Sequence, residues 1–128
     1  MAAAPQLEGR PEVVIDVDVR QGLLSILLRN IGPRPALDVR TSFDKPFTGL
    51  GGRKAITNLR VFKRLAFMAP GKTFEQFVDP LAAYHARKQP LLITATVTYR
   101  DRSGARYEES MTHDLRVYLE LGQARVIG

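Results

Sequence analysis

Residues 66–73, AFMAPGKT, have the spacing of a relaxed phosphate-binding loop, in which a lysine and a hydroxyl residue follow a glycine. Such a loop binds phosphate through flexible backbone amides, a lysine and a magnesium-bound hydroxyl at the start of a long helix. Here bulky side chains occupy the loop, and Pro70 supplies no amide donor. Phe74, Phe77 and Pro80 follow, which leaves no helix of adequate length. We therefore expect a turn in this segment and no nucleotide site.

Other groups that could do chemistry are scattered along the chain. It has no cysteine, which excludes thiol catalysis and disulfides, and it has two histidines, His85 and His113. Metal sites usually need about three or four ligands, and we expect His113 to lie at the core edge, bonded to backbone or water. No serine has the context of a nucleophile, and Glu108 and Glu109 point to opposite strand faces. We therefore expect a non-enzyme with no metal and no cofactor.

Basic residues are concentrated in the middle of the chain. Of the net charge of +6, residues 45–88 contribute +7 from nine basic and two acidic side chains, residues 1–44 contribute −1, and residues 89–128 contribute nothing. No carboxylate lies between Lys45 and Lys72, and we call this stretch the basic segment. It would attract acidic or phosphate-rich partners, although an ordinary solvated surface has the same composition. The candidate interaction surface consists of Lys45, Arg53, Lys54, Arg60, Lys63 and Arg64.

Two further features of the basic segment bear on binding. Residues 49–54, GLGGRK, could form an anion-binding nest of backbone amides, or they could be an ordinary glycine loop. Phe47, Phe62 and Phe67 are interleaved with the basic residues but lack the pattern of a base-stacking platform. We expect two of these three aromatic rings to lie in the core.

Alternating apolar residues predict β-strands through most of the chain. Valine and isoleucine alternate with charged residues over 13–20, and a glycine turn followed by a second apolar run predicts a hairpin. Residues 55–68 fit a strand or a short helix, residues 74–78 a short strand, and Pro80–Lys88 a helical turn. In the third strand we expect Leu37, Val39, Thr41 and Phe43 to share one face.

The C-terminal third predicts the clearest hairpin, in which residues 91–100 pair with residues 105–119 around a turn at Asp101–Gly104. Together the segments predict one all-β domain over residues 12–128, an immunoglobulin-like antiparallel β-sandwich of about seven strands with one or two short helical turns. Residues 1–11 contain three alanines and two prolines, and we expect a flexible arm. The expected inward residues of the hairpin are Ile93, Val97, Tyr107 and Leu115.

Three segments carry a resemblance to a known family. Residues 28–39, LRNIGPRPALDV, resemble the N-x-G … A-x-x-V segment of immunoglobulin-like bacterial modules of the cell-adhesion-related, CARDB-like type. Ala69–Gly71 looks like the Pro-Gly turn of that family, and residues 93–101, ITATVTYRD, look like its late strand before a hairpin. The resemblance implies a bacterial β-sandwich of a kind that binds or spaces other proteins and shares no catalytic residues.

These observations predict a non-catalytic protein-interaction or assembly module. Its partner would be another protein or a second copy, added through the edge strands of the sandwich. The alternative is binding of nucleic acid or another polyanion through the basic segment. No apolar run approaches the ~20 residues of a membrane span, and the first residues lack the features of an export signal. We therefore expect a cytoplasmic protein with no membrane span.

Overall fold

The computed structural model describes residues 9–121 of the chain. The strands of this part are β1 Val13–Arg20, β2 Leu23–Asn30, β3 Ala36–Phe43, β4 Thr48–Gly49, β5 Lys54–Ala55, β6 Leu65–Met68, β7 Thr73–Pro80, β8 Leu92–Arg100 and β9 Arg106–Asp114. The helices are α1 Arg60–Lys63, α2 Leu81–Ala86 and α3 Arg116–Glu120, with 3-10 turns at Leu50–Gly52 and Ile56–Asn58.

Seven of these strands form two antiparallel sheets. One sheet has the order β1-β2-β7 and the other β6-β3-β8-β9, while β4 and β5 form a separate two-stranded ribbon. Inward side chains of both sheets form one core, and Ile15, Leu28, Val39 and Val97 within it are at most 1% exposed. The predicted all-β, immunoglobulin-like antiparallel sandwich is therefore confirmed.

Both predicted hairpins are present. β1 pairs with β2 around Gln21 and Gly22, whose φ angles of 52° and 77° suit a tight turn. β8 pairs with β9 across Asp101–Gly104, where the Gly104 N–H donates to the Asp101 carbonyl at 3.1 Å. Of the residues predicted to be inward here, Ile93, Val97 and Leu115 are buried and Tyr107 is half-buried.

The third strand departs from its predicted register. Asp38 has a φ of 53°, and the pairing of β3 with β8 shifts after Leu37. The bulge puts Leu37 on the outer face, opposite Phe67 of β6 and Arg100 of β8. The prediction that Leu37 and Val39 share one face was therefore wrong, because strict alternation fails at a bulge.

The final strand is shorter than predicted. β9 ends at Asp114, whose carboxylate accepts a hydrogen bond from the Arg116 backbone N–H at 3.0 Å and another from the Arg116 side chain at 2.7 Å. These bonds turn the chain into α3. The prediction of a strand over residues 115–119 was therefore wrong, and Val117 and Leu119 are exposed instead of inward.

The stretch at 55–68, which fitted a strand or a helix, contains both. A 3-10 turn and α1 occupy its first half, and β6 occupies its second half. Phe62 of α1 is 2% exposed, which anchors the helical part in the core. The predicted turn follows at Gly71, whose φ is 81°.

The ends of the described chain bear on the predicted boundaries. Residues 1–8 of the predicted arm and residues 122–128 of the predicted domain lie outside the described residues. Pro11 is buried, so packing against the sandwich extends at least to this residue. No helix within residues 9–121 is long and apolar enough to cross a membrane.

Candidate functional site

The sandwich has two sides at which an edge strand of one sheet faces an edge strand of the other. The first of these sides lies between β1 and β9, and we call it the closed side. The Ile15 N–H donates to Met111 Sδ at 3.1 Å, and His113 Nε2 lies 2.7 Å from the Ile15 carbonyl oxygen. Side chains of β9 thus occupy backbone groups of β1 that another strand would need. The prediction that His113 bonds to backbone at the core edge is confirmed, whereas His85 is exposed on α2.

The opposite side, which we call the open side, lies between β6 and β7, and the β4–β5 ribbon covers the second half of β7. Gly49 lies so close to β7 that a Cβ atom there would be 2.5 Å from the Val78 carbonyl oxygen. Lys54 Nζ donates to Gln76 Oε1 at 3.1 Å. Because glycine at position 49 allows this close approach, the ribbon packs directly against this half of β7 and covers its edge.

The glycine loop of the ribbon holds one of the protein's own carboxylates. Leu50, Gly51 and Gly52 have positive φ angles of 53°, 69° and 94°. The Gly51 N–H lies 3.3 Å from Asp79 Oδ2, and Arg87 donates to the same oxygen at 2.6 Å. Asp79 is therefore the anion that the glycine loop at residues 49–54 contacts, through the single N–H of Gly51.

β6 is an edge strand of its sheet, and in the described chain no segment covers its outer edge. Its four residues, Leu65–Met68, include no charge and no proline. Within residues 9–121, the one hydrogen bond that reaches its backbone from outside a strand ladder runs from Asn30 Nδ2 to the Met68 carbonyl. Phe47 and Phe62 are the two expected core rings, each 2% exposed, whereas Phe67 of β6 is 49% exposed. Natural sheets protect such an edge with charge, proline or a covering segment unless it pairs with something.

Cationic side chains lie beside both ends of β6. Arg60 and Lys63 of α1 are exposed just before the strand, and neither makes an ion pair with any residue that the structure describes. Arg102, from the turn between β8 and β9, has its guanidinium carbon 5.9 Å from the ring centre of Phe67. The open edge is therefore uncharged itself and basic in its surroundings.

Arg64 is already engaged at the β3 bulge. Asp38 Oδ1 accepts hydrogen bonds from Arg64 Nε at 2.7 Å and from Arg40 Nε at 3.2 Å. The hydrogen bond from Arg64 is the main reason why the pKa of Asp38 lies below its ordinary value. Arg60 and Lys63 are thus the charges of the basic segment that remain available beside β6.

The six residues of the predicted interaction surface fall into separate groups. Five are exposed, and Lys54 is half-buried. Arg53 and Lys54 lie in or beside the ribbon, Arg60 and Lys63 on α1, Arg64 between α1 and β6, and Lys45 beside Asp44 at 3.9 Å. Lys54 contacts β7, Arg53 bonds to the Leu50 carbonyl within its own loop, and Arg60 and Lys63 lie next to the open edge of β6, so the six residues do not form one set with one role.

The remaining candidates are the phosphate-loop spacing at residues 66–73 and a possible metal site. Residues 66–73, which match the relaxed phosphate-loop spacing, form the end of β6, the turn and the start of β7, with no helix behind them. Lys72 Nζ lies 5.8 Å from the ring centre of Phe74. In the described part of the chain, no group of three or more histidine, aspartate or glutamate side chains could hold a metal ion.

The chain matches one known protein family. A family model described as a domain of unknown function (DUF8453) matches residues 2–119, which include both sheets, the ribbon and the open edge. The chain belongs to the DUF8453 family. No curated protein and no solved structure matches it.

Proposed function

We propose that the protein is a non-catalytic interaction module that adds an extended, acidic segment of another protein as a strand to β6. The observation that carries the proposal is the uncovered edge of Leu65–Met68, with Phe67 half-exposed beside it. In strand addition, main-chain hydrogen bonds supply affinity and neighbouring side chains supply specificity. Phe67 offers an apolar contact for one side chain of the added strand.

The charges around β6 support an acidic partner. A four-residue strand spans about 14 Å, so one added strand would pass Arg60 and Lys63 near one end and Arg102 near the other. Carboxylates at both ends of the added strand would meet these cations. A second copy of the chain would instead bring the same cations and its own charge of +6 to the edge, which disfavours self-association.

Peptide selection on the purified protein tests the proposal. Random displayed peptides of about ten residues, roughly twice the usual strand length, are selected on the wild type at low salt. We expect enriched peptides with apolar residues at every second position and acidic residues near both ends. Titration of one such peptide should shift the backbone amide resonances of β6 and slow their hydrogen exchange.

Two matched pairs of variants locate the binding site. Phe67→Glu should abolish peptide binding, whereas Phe77→Glu, the same change at another exposed phenylalanine on the other sheet, should leave it intact. Lys63→Glu should weaken binding more than Arg53→Glu in the ribbon. Enriched peptides that bind Phe67→Glu as well as wild type would refute strand addition at β6. A dimer that Phe67→Glu dissociates would show that the strand comes from a second copy.

A further inference from the structure

The hydrogen bonds of the closed side cover the edge of β1 but not that of β9. Side chains of β9 bond to the backbone of β1 at Ile15. β9 is itself an edge strand, and within residues 9–121 its backbone is paired with β8 alone. In an antiparallel pair, every second residue directs its N–H and C=O away from the neighbouring strand. The outward groups of β9 are therefore available to another strand.

β9 also lacks most of the features that protect a sheet edge. Its nine residues, Arg106–Asp114, pair with β8 without a register shift, whereas β3 and β7 each contain a bulge. The strand contains no proline and no lysine. Its inward-facing carboxylate, Glu109, accepts a hydrogen bond from the Tyr99 hydroxyl and is thereby held to its own sheet. A long and regular edge of this kind is a template for another strand.

The charges of β9 match those of a second β9 in one register. When two copies pair antiparallel about Ser110, all nine residues are paired, Arg106 lies opposite Asp114, and no like charges are opposed. A slide of two residues in either direction puts Glu109 opposite Glu109, or Glu108 opposite Asp114, and such pairs destabilise a sheet. A slide of one residue puts the inner face of one strand beside the outer face of the other. The register about Ser110 is therefore specified by the sequence of the strand.

The surrounding charges favour a second copy at β9 more than at β6. Arg106 lies opposite Arg100 of β8, and neither has an ion pair in the described chain, so a carboxylate of a second strand would reduce their repulsion. Asp114 already binds Arg116 at 2.7 Å, so the register is favoured by the absence of opposed like charges and not by a new ion pair. Because β9 carries both signs of charge, it can face a copy of itself, whereas the basic surroundings of β6 suit an acidic strand.

Exposed apolar side chains lie at the end of the same strand. α3 begins two residues after β9 ends, and its Val117 and Leu119 are 49% and 36% exposed. In the register about Ser110, the end of β9 in one copy lies beside the start of β9 in the other, which brings α3 to the rim of the contact. Main-chain hydrogen bonds contribute little net free energy, since water competes for them, and apolar area at the rim adds to association.

We propose that a second copy of this chain adds its β9 to β9, antiparallel and about a two-fold axis at Ser110. The pairing joins two four-stranded sheets into one sheet of eight strands. Because both copies contribute the same residues, the contact closes at two copies and does not extend into a fibre. β6 is the opposite edge of each sheet, so the dimer presents two β6 edges, one at either end.

Sedimentation of the full chain over a range of concentrations tests the proposal, with two charge variants at the axis. Ser110 is exposed, and Ser110→Glu and Ser110→Lys each oppose two like charges there. We expect either variant alone to weaken the dimer at least about tenfold. An equimolar mixture of the two should dimerise again, because opposite charges then meet at the axis. Amide exchange in β9 of the wild type should be slower at concentrations where the dimer forms.

Ser42→Glu and Ser42→Lys are the matched controls. Ser42 is an exposed serine of β3, in the same sheet and paired with β8, and both changes should leave the dimer intact. A wild type that is monomeric at every concentration would overturn the proposal. So would equal weakening by Ser42→Glu and Ser110→Glu, or a mixture of the two Ser110 variants that stays as monomeric as each alone.

The same variants separate this dimer from strand addition at β6. A dimer that Phe67→Glu dissociates and Ser110→Glu does not would lie at β6, and it would overturn pairing through β9. Peptide binding is measured on the monomeric Ser110→Glu variant, which retains the β6 edge. Loss of the dimer with intact peptide binding, or the reverse, therefore shows which of the two contacts is wrong.

Discussion

The closed side and the open side of this sandwich differ in how the backbone groups of their edge strands are covered. On the closed side, His113 and Met111 of one sheet bond to both backbone groups of Ile15 on the other. On the open side, a whole ribbon covers half of β7, and β6 is left bare. Each edge strand is therefore covered by its own local contacts, and one strand can be covered while a neighbouring strand is not. This difference is the reason why we propose β6 as the strand to which a partner is added.

The largest effect is expected from Val97→Asp, because both sides depend on one core. Val97 lies in β8, between β3 and β9, and is 0% exposed. The substitution would bury an unpaired charge at a cost of several kcal/mol, about the whole stability of a small domain. Thermal unfolding should show loss of the folded state, with both sides lost together. Melting within a few degrees of wild type would contradict a shared core.

The next largest effect should come from the buried ion pair of the open side. Arg87→Ala would leave the Asp79 carboxylate, whose side chain is 7% exposed, without its charged partner. We expect a loss of about 3 kcal/mol in the free energy of unfolding. Since Asp79 also holds the glycine loop, hydrogen exchange should become faster in the ribbon and stay unchanged on the closed side.

Arg116→Ala is the matched control for that variant. Its ion pair with Asp114 joins side chains that are 64% and 35% exposed, so its loss should lower the free energy of unfolding in chemical denaturation much less than Arg87→Ala does. If the two variants were equally stable, or if exchange rose equally on both sides, Asp79 and Arg87 would not be what anchors the ribbon.

The sandwich could be predicted from the sequence because its signals are local. Alternation at Val13–Arg20 and at Leu92–Arg100 is a property of consecutive residues, and so are the turns at Gly22 and Gly104. Alternation gave wrong predictions at Asp38, where β3 has a bulge, and beyond Asp114, where β9 ends. A positive φ and a carboxylate that caps the following turn both interrupt a pattern that the apolar residues alone continue.

The candidate sites could not be predicted in the same way, because they depend on contacts between distant residues. The bond between Ile15 and His113 spans 98 positions, and the contact between Asp79 and the glycine loop spans 28. The charge run at 45–72 predicts one basic segment, but the folded chain divides its residues between the ribbon, α1 and the start of β6. Which strand becomes an uncovered edge is likewise decided by the sheet order.

A smaller effect is expected on the closed side from His113→Ala. The substitution removes the partner of the Ile15 carbonyl, on a residue that is 1% exposed, and should cost about 1–2 kcal/mol in chemical denaturation. Binding of the selected peptide at β6 should not change. His85→Ala, at the exposed histidine of α2, is the control and should leave stability unchanged. Equal stability of the two variants would mean that the closed side is not held by His113.

The smallest effect is a difference in alkaline stability, reported by one buried tyrosine on each side. Tyr84 donates to the Pro90 carbonyl at 2.5 Å near the ribbon, and Tyr99 donates to the Glu109 carboxylate near the closed side. Burial is the main reason that the pKa of each tyrosine lies above its ordinary value, and Glu109 adds to the shift at Tyr99. Each folded-state pKa is thus higher than the unfolded-state pKa of about 10.

The stability that these two tyrosines confer is therefore complete below about pH 10 and is lost as the pH rises toward the folded-state pKa. Urea unfolding between about pH 10 and 11 should show a fall of up to about 1 kcal/mol per pH unit for each tyrosine. Tyr84→Phe should remove the part that belongs to the open side, and Tyr99→Phe the part that belongs to the closed side. Below about pH 9 neither variant should differ from wild type in slope. If one variant had the same slope as wild type above about pH 10, water would already reach the tyrosine that this variant replaces. That side of the sandwich would then be the one that opens first.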